Sequence, residues 1–261
     1  MSTGLGATLE RAGFDVEPFY GELGATIYSA FAQHDRDESD AIARIVGRGL
    51  RILELACGDG RVMLPLLLRG NEVVGVDDSA PMLAILEQRL ARLRHLDDRW
   101  ALAHQSMTES VEGAPFDWVV IAAGTITLLA ADDRQIVYRR VAEALDPQDG
   151  RFLLSSWGFA EGAEPSATTR LVHLDNLGIV VTFHEELAPS KAYRDVYVVP
   201  SLVGGAPVSG KVLHSRTAVL PIEQLVAELE NAGLTIERRI ELPQGDRVAE
   251  LLVARPGRRN D

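Results

Sequence analysis

Cysteine and lysine are nearly missing from this chain of 261 residues. Cys57 is the only cysteine, and lysine occurs only at Lys191 and Lys211. One cysteine excludes an internal disulfide and fits a reducing, cytoplasmic setting. The net charge is -12, which removes any general attraction to nucleic acid, and no cluster of arginines interleaved with aromatics offsets it locally. There is no apolar run of about 18 residues, so no membrane span is expected. The N-terminal stretch lacks a basic start followed by an apolar core, so no secretory signal is expected. No Cys/His cluster has metal-ligand spacing, and a metal is not expected. Internal repeats and low-complexity tracts are absent too. What remains is a chain that is 46% hydrophobic, enough for a sizeable core.

The order of the apolar runs suggests a fold. Residues 1–16 are glycine-rich and read as loose, and residues 17–33 read as one helix or two short ones. "DESDAIARIVGR" reads as a helix capped by Ser39 or Asp40, with Ile42, Ile45 and Val46 on one face. From residue 50, strand-like runs ("LRILELA", "EVVGVD", "WALAHQ", "FDWVVIAA", "RFLLSSW") alternate with helical ones ("RVMLPLLLRG", "APMLAILEQRLARLRHL", "DDRQIVYRRVAEALD"). That alternation predicts an α/β fold, a parallel sheet with helices on both faces. Residues 158–169 read as a loop. β-rich runs without helix signals then fill 170–218 and predict an antiparallel insertion. A last helix, "PIEQLVAELENAG", and a hairpin turning at "PQGD" follow. The predicted division is an N-terminal lid segment (1–37), a core (38–157), a β-rich cap (158–218), and a C-terminal helix and hairpin completing the core sheet (219–261).

One stretch concentrates small residues where a strand gives way to a helix: "LELACGDGR", residues 53–61. Ala56, Gly58 and Gly60 weaken regular structure, so they mark a tight turn or a close ligand. In an open parallel sheet, ligands sit at the carboxyl ends of strands. The next strand ends in Asp77, where an acid can accept both hydroxyls of a ribose. A nucleoside-containing cofactor follows. A dinucleotide fingerprint would place a third small residue at Met63, and there is no Gly-Lys-Ser/Thr phosphate loop. A ribose without phosphates, as in S-adenosylmethionine (SAM), fits better.

"ILELACGDGR", "VVGVDDSAPML" and "FDWVVIAAGTITLL" together resemble the class I SAM-dependent methyltransferases. The resemblance implies a Rossmann-like sheet and SAM as cofactor, with S-adenosylhomocysteine (SAH) as product. It implies that Glu54 lies near the methionine amino group and that Ala56, Gly58 and Gly60 form the floor. Ala56 stands where the family usually has glycine. Asp77 would bind the ribose hydroxyls, with Asp78 and Ser79 at the adenosine edge. Ser106 and Met107 stand where the family usually has an acid and a hydrophobe for adenine. Ala122 and Gly124 would line the methionine and the path of the methyl group.

For the acceptor side, the resemblance and the residue chemistry single out Tyr20 and Tyr28 as an aromatic lid near the sulfonium. His184 is a candidate base, and Thr125, Trp157 and Tyr197 are candidate pocket walls. Each has a plainer reading as core or surface. Cys57 reads as packing rather than as a nucleophile. The chain is further similar to natural-product methyltransferases, among them those that dimethylate a terminal amine of ribosomally made daptide-type peptides. The expected acceptor is an amine of a small molecule or short peptide. O-methylation is the near alternative; an NAD-dependent oxidoreductase and a non-catalytic SAM-fold binding protein are the distant ones. No nucleic-acid or membrane partner is expected, and the sequence leaves the oligomeric state open.

Overall fold

A computed structural model of the chain describes residues 5–32, 36–157, 166–188, 193–202, 210–244 and 247–257. In chain order the elements are α1 (Leu5–Arg11), β1 (Asp15–Pro18), α2 (Glu22–Ala32), α3 (Asp37–Val46), β2 (Arg51–Leu55), α4 (Met63–Leu68), β3 (Glu72–Asp77), α5 (Ala80–Leu90), β4 (Trp100–His104) and β5 (Trp118–Ile121). Then come α6 (Ala131–Ala144), β6 (Arg151–Trp157), β7 (Ser166–Leu174), β8 (Ile179–Ala188), β9 (Tyr193–Leu202), β10 (Lys211–Ala218), α7 (Ile222–Asn231), β11 (Leu234–Gln244) and β12 (Arg247–Pro256). They form two compact units. One comprises residues 1–34 and 162–219, the other residues 35–161 and 220–261.

The larger unit is built on a seven-stranded sheet of order β11-β12-β6-β5-β2-β3-β4. β2 to β6 pair in parallel, while β12 runs antiparallel to β6 and β11 antiparallel to β12. The parallel core reads as apolar runs because both faces are covered. On one face, Ile52, Val73, Val120 and Leu153 pack with Ile42 and Val46 of α3, Met63 and Leu66 of α4, and Leu83 and Leu86 of α5. Strand alternation turns Leu53, Val119 and Leu154 to the other face.

Helix ends follow their chemistry. Ser79 caps α5, its Oγ accepting from the Met82 amide at 3.3 Å, and α6 opens on Asp132 and Asp133 at its positive end. The expected cap of α3 is corrected: the helix starts at Asp37 with Arg36 at the cap position and no side-chain cap. The Ser39 hydroxyl instead donates to the Arg36 carbonyl at 3.0 Å. The acids of the first turn stabilise that end through the helix dipole.

The smaller unit is a five-stranded sheet of order β1-β10-β9-β8-β7. β7 to β10 form the expected antiparallel array. β7 begins at Ser166, inside the stretch read as a loop, whose residues 158–165 lie outside the described residues, as does the 245–246 tip of the last hairpin. The N-terminal reading is also corrected. Residues 5–11 are helical, and residues 15–18 are a strand pairing in parallel with β10, Asp15 opposite Lys211. Four residues are too short for a period to show in sequence, and pairing with a distant strand makes them β. One face packs Ile27 and Ala30 of α2 with Phe19, Phe183, Val198 and Leu213.

Candidate functional site

The carboxyl ends of β2, β3, β5 and β6 meet in the larger unit, and most of the predicted cofactor residues are there. Glu54, on β2, is buried, and its Oε2 has no hydrogen-bond partner. Burial pushes its carboxyl well above the usual range; Arg61 opposes this, while Asp77, Asp59 and Glu38 add to it. A buried carboxylate oxygen without a donor is costly, and a cation placed against it would relieve that cost.

The turn after β2 is left-handed at Ala56 (φ 57°), Gly58 (53°) and Gly60 (85°). The three small residues have separate reasons. A Cβ on Gly58 would meet nothing within 4 Å, so this backbone faces open space. A Cβ on Gly60 would lie 2.3 Å from Leu86 Cδ1, so its smallness lets α5 pack down on the turn. Ala56 bears a side chain in a conformation that costs a non-glycine residue of order 1 kcal/mol.

Asp77 closes β3 and braces the same turn. Its Oδ2 accepts from the Gly58 amide at 2.7 Å and its Oδ1 from the Ser79 amide at 2.8 Å. Burial raises its carboxyl, against those two amides. Each oxygen keeps a further lone pair, which is what two ribose hydroxyls need. The exposed Asp78 presents its carbonyl to His104 Nε2 at 3.0 Å, and Ser79 serves as the helix cap. Asp59 is tied to α5 through Arg89 at 2.9 Å.

Farther along the edge the pattern changes. Ser106 Oγ is engaged with Thr108 at 2.8 Å, and its amide donates to Glu109 at 2.9 Å. Met107 borders a depression with Leu53, Leu55 and Val141, on the face of the sheet opposite Glu54. After β5, Ala122 is buried, and Ala123 (φ 59°) and Gly124 (65°) form a left-handed pair. Trp157 packs so closely on Gly124 that a Cβ there would lie 2.9 Å from its Cδ1. The Thr125 hydroxyl donates to the Ala122 carbonyl at 2.8 Å. Cys57 lies against Gly75, and burial raises its thiol well above the usual range, so it packs rather than attacks.

One residue beside this site was missed by sequence reasoning. Glu38, in the first turn of α3, is 1% exposed. Its Oε1 accepts from the Ala123 amide at 3.0 Å and from the Ser155 hydroxyl, and its Oε2 from Arg61. Nothing local marks it, because the acid is one of three in a helix N-terminus.

In the smaller unit, Tyr20 and Tyr28 come together, ring centroids 5.9 Å apart, both edge-on to Phe19. That cluster is on the α2 face of the sheet. His184 alternates to the opposite face, between Thr169 Oγ1 (2.7 Å) and Glu186 Oε1 (3.4 Å). Tyr197 pairs across the strands with His184 and His214, and so shares that second face. It is buried, stacks on His214 at 4.7 Å and accepts the Gly6 amide at 3.2 Å. The structure therefore unites the two tyrosines and separates them from His184 and Tyr197.

Residues 52–148 match the protein family described as "Methyltransferase domain". In solved structures, the chain is similar to the CcbJ methyltransferase from Streptomyces caelestis (TM-score 0.73, 22% identity, 86% of this chain and 90% of that one). It is also similar to the glycopeptide N-methyltransferase MtfA complexed with SAM (TM-score 0.60, 25% identity, 84% of this chain and 94% of that one). The fold is that of the class I SAM-dependent methyltransferases. YqeM of Bacillus subtilis (strain 168), named as a methyltransferase, is 32% identical over 101 residues. The match spans 38% of this chain and 39% of YqeM, so this chain covers about two fifths of that relative. The matched stretch of the methyltransferase fold begins at β2 and contains Glu54, the turn, Asp77 and the end of β5. Among the described residues, no group of three or more His, Cys, Asp or Glu could hold a metal, and no helix is long and apolar enough to cross a membrane.

Proposed function

We propose that the chain is a SAM-dependent methyltransferase acting on an amine of a small molecule or short peptide. The observation that carries this is the unpartnered Glu54 Oε2, buried beside an open glycine turn that Asp77 braces. Those residues fit SAM, which brings an ammonium for Glu54, ribose hydroxyls for Asp77 and an adenosine needing close approach to Gly58. When bound, SAM supplies a methyl group on a sulfonium that leaves as a neutral thioether once a nucleophile takes the methyl.

The chain's own task is then to place the acceptor nitrogen in line with that bond, in its free-base form. Thr125 and Trp157 border the acceptor in this reading. Tyr20 and Tyr28 form the aromatic lid, and His184, on the opposite face of the smaller sheet, is the rival candidate as a base. An amine acceptor is supported by MtfA, an N-methyltransferase of glycopeptides. The finer reading is a terminal amine of a ribosomally made peptide of the daptide type, within bacterial natural-product biosynthesis in the cytoplasm.

The test is mass spectrometry after incubation with SAM and a panel of aminosugars, peptides with free N-termini and phenols. Methyl gain on amines alone supports the proposal. Gain on phenols alone moves the chain to the O-methyltransferases.

A further inference from the structure

Arg61 opposes the rise of the Glu54 carboxyl, and the buried Oε2 of Glu54 has no hydrogen-bond partner. Two such groups would ordinarily pair. Here the Arg61 guanidinium is held by Glu38 instead. Glu38 is built to hold it. Its carboxylate is fixed from the other side by the Ala123 amide and the Ser155 hydroxyl, at the carboxyl ends of β5 and β6. Three elements of the larger unit thus converge on one buried acid, and the acid holds the arginine.

We infer that Glu38 is a positioning residue that diverts Arg61 from Glu54, keeping the Glu54 carboxylate open for the ammonium of the cofactor's amino-acid end. The inference rests on the proposed function, which supplies the ammonium. It assigns to Glu38 a role in cofactor affinity with no contact to the cofactor. Without the Glu38 charge, Arg61 turns to Glu54, and the two close the subsite as an internal ion pair. The competition is confined to the amino-acid end, because Asp77 and Gly58, which the proposed function assigns to the nucleoside, are bonded to each other.

Isothermal titration of four proteins decides it: wild type, Glu38→Gln, Arg61→Gln and Glu38→Gln/Arg61→Gln. Each is titrated with SAM and with 5′-methylthioadenosine, which keeps the nucleoside and lacks the amino acid. The inference predicts that Glu38→Gln weakens SAM by about tenfold or more, the range of a charge-assisted hydrogen bond. Methylthioadenosine should stay within about twofold. The double variant, with no arginine left to compete, should recover most of the SAM affinity. Equal weakening of both ligands, or no recovery in the double variant, overturns the inference and leaves Glu38 as a clamp of the fold. Unchanged SAM affinity in Glu38→Gln overturns it as well. Should Glu38→Gln alone fail to fold, the double variant decides, since it leaves neither charge buried alone; its failure to fold or to bind SAM also overturns the inference. Wild-type protein that binds neither ligand refutes the proposed function itself, before any variant is compared.

Discussion

In the proposed function, Glu54 would tie protonation to ligand binding. Burial raises its carboxyl above the usual value near 4.5, so in the ligand-free chain the ionised form is disfavoured. The sign follows from linkage: its contribution to stability is present below the unfolded value and is lost as pH rises through the raised one. A cation beside it reverses the preference. SAM binding should release a proton and tighten as pH rises toward that raised value. Titration in two buffers of different ionisation enthalpy measures the release, and Glu54→Gln should abolish it while weakening SAM about tenfold or more. A proton count of zero in the wild type contradicts this role. Asp77→Ala should remove SAM binding and also cost about 1–3 kcal/mol of stability, because two backbone amides lose their acceptor; thermal melts without ligand check the second part. Asp77 is legible in the sequence because it closes an apolar strand, and Glu54 enters through the family resemblance. Glu38 is not legible, because its importance comes from Ser155 and Ala123, more than 80 positions away.

Elements show the same division between local and distant causes. The alternating runs of the parallel sheet carry their own period, so β2 to β6 and the helices between them are visible in the sequence. β1 is not, because four residues become a strand only through β10. The small residues after β2 mark a tight turn or a close ligand, and packing explains part of their placement. Gly60→Ala should destabilise by about 2 kcal/mol or more, from a left-handed backbone and the collision with Leu86. Trimming the buried Leu86 to Ala costs stability by itself, so denaturant melts of both single variants and the double variant should show a coupling equal to the collision part only.

The packing of α7 on α6 rests on an arginine in the same way. Arg134 is 3% exposed and meets Glu228 through two bonds, at 2.8 and 2.6 Å. Arg134→Met should therefore cost about 3–5 kcal/mol by stranding Glu228. Burial works against the Glu228 carboxylate, but the bonds from Arg134 and Gln224 outweigh it and hold the carboxyl below its usual range. That stability is present above the ordinary glutamate value and is lost as pH falls through the lowered one. Melting temperatures taken below pH 4.5 should fall in the wild type and be flatter in Glu228→Gln.

At the scale of the whole molecule, the chain interleaves two units, each with its own sheet. The net charge of -12 and the single cysteine are legible at once, since composition depends on no contact. The proposed acceptor side is not, because its candidate residues lie far apart in sequence. In the smaller unit, the tyrosine pair and His184 occupy opposite faces of one sheet. Tyr20→Phe with Tyr28→Phe should lower turnover with SAM affinity kept within about twofold, and His184→Ala should leave turnover unchanged. The reverse pattern would assign the pocket to the histidine face.

The central claim is that the glycine turn, Glu54 and Asp77 hold SAM. Titrating the purified chain with SAM, SAH and NAD tests it most directly. The account predicts saturable one-to-one binding of SAM and SAH and none of NAD. Binding of NAD alone, or of none of the three, would contradict it.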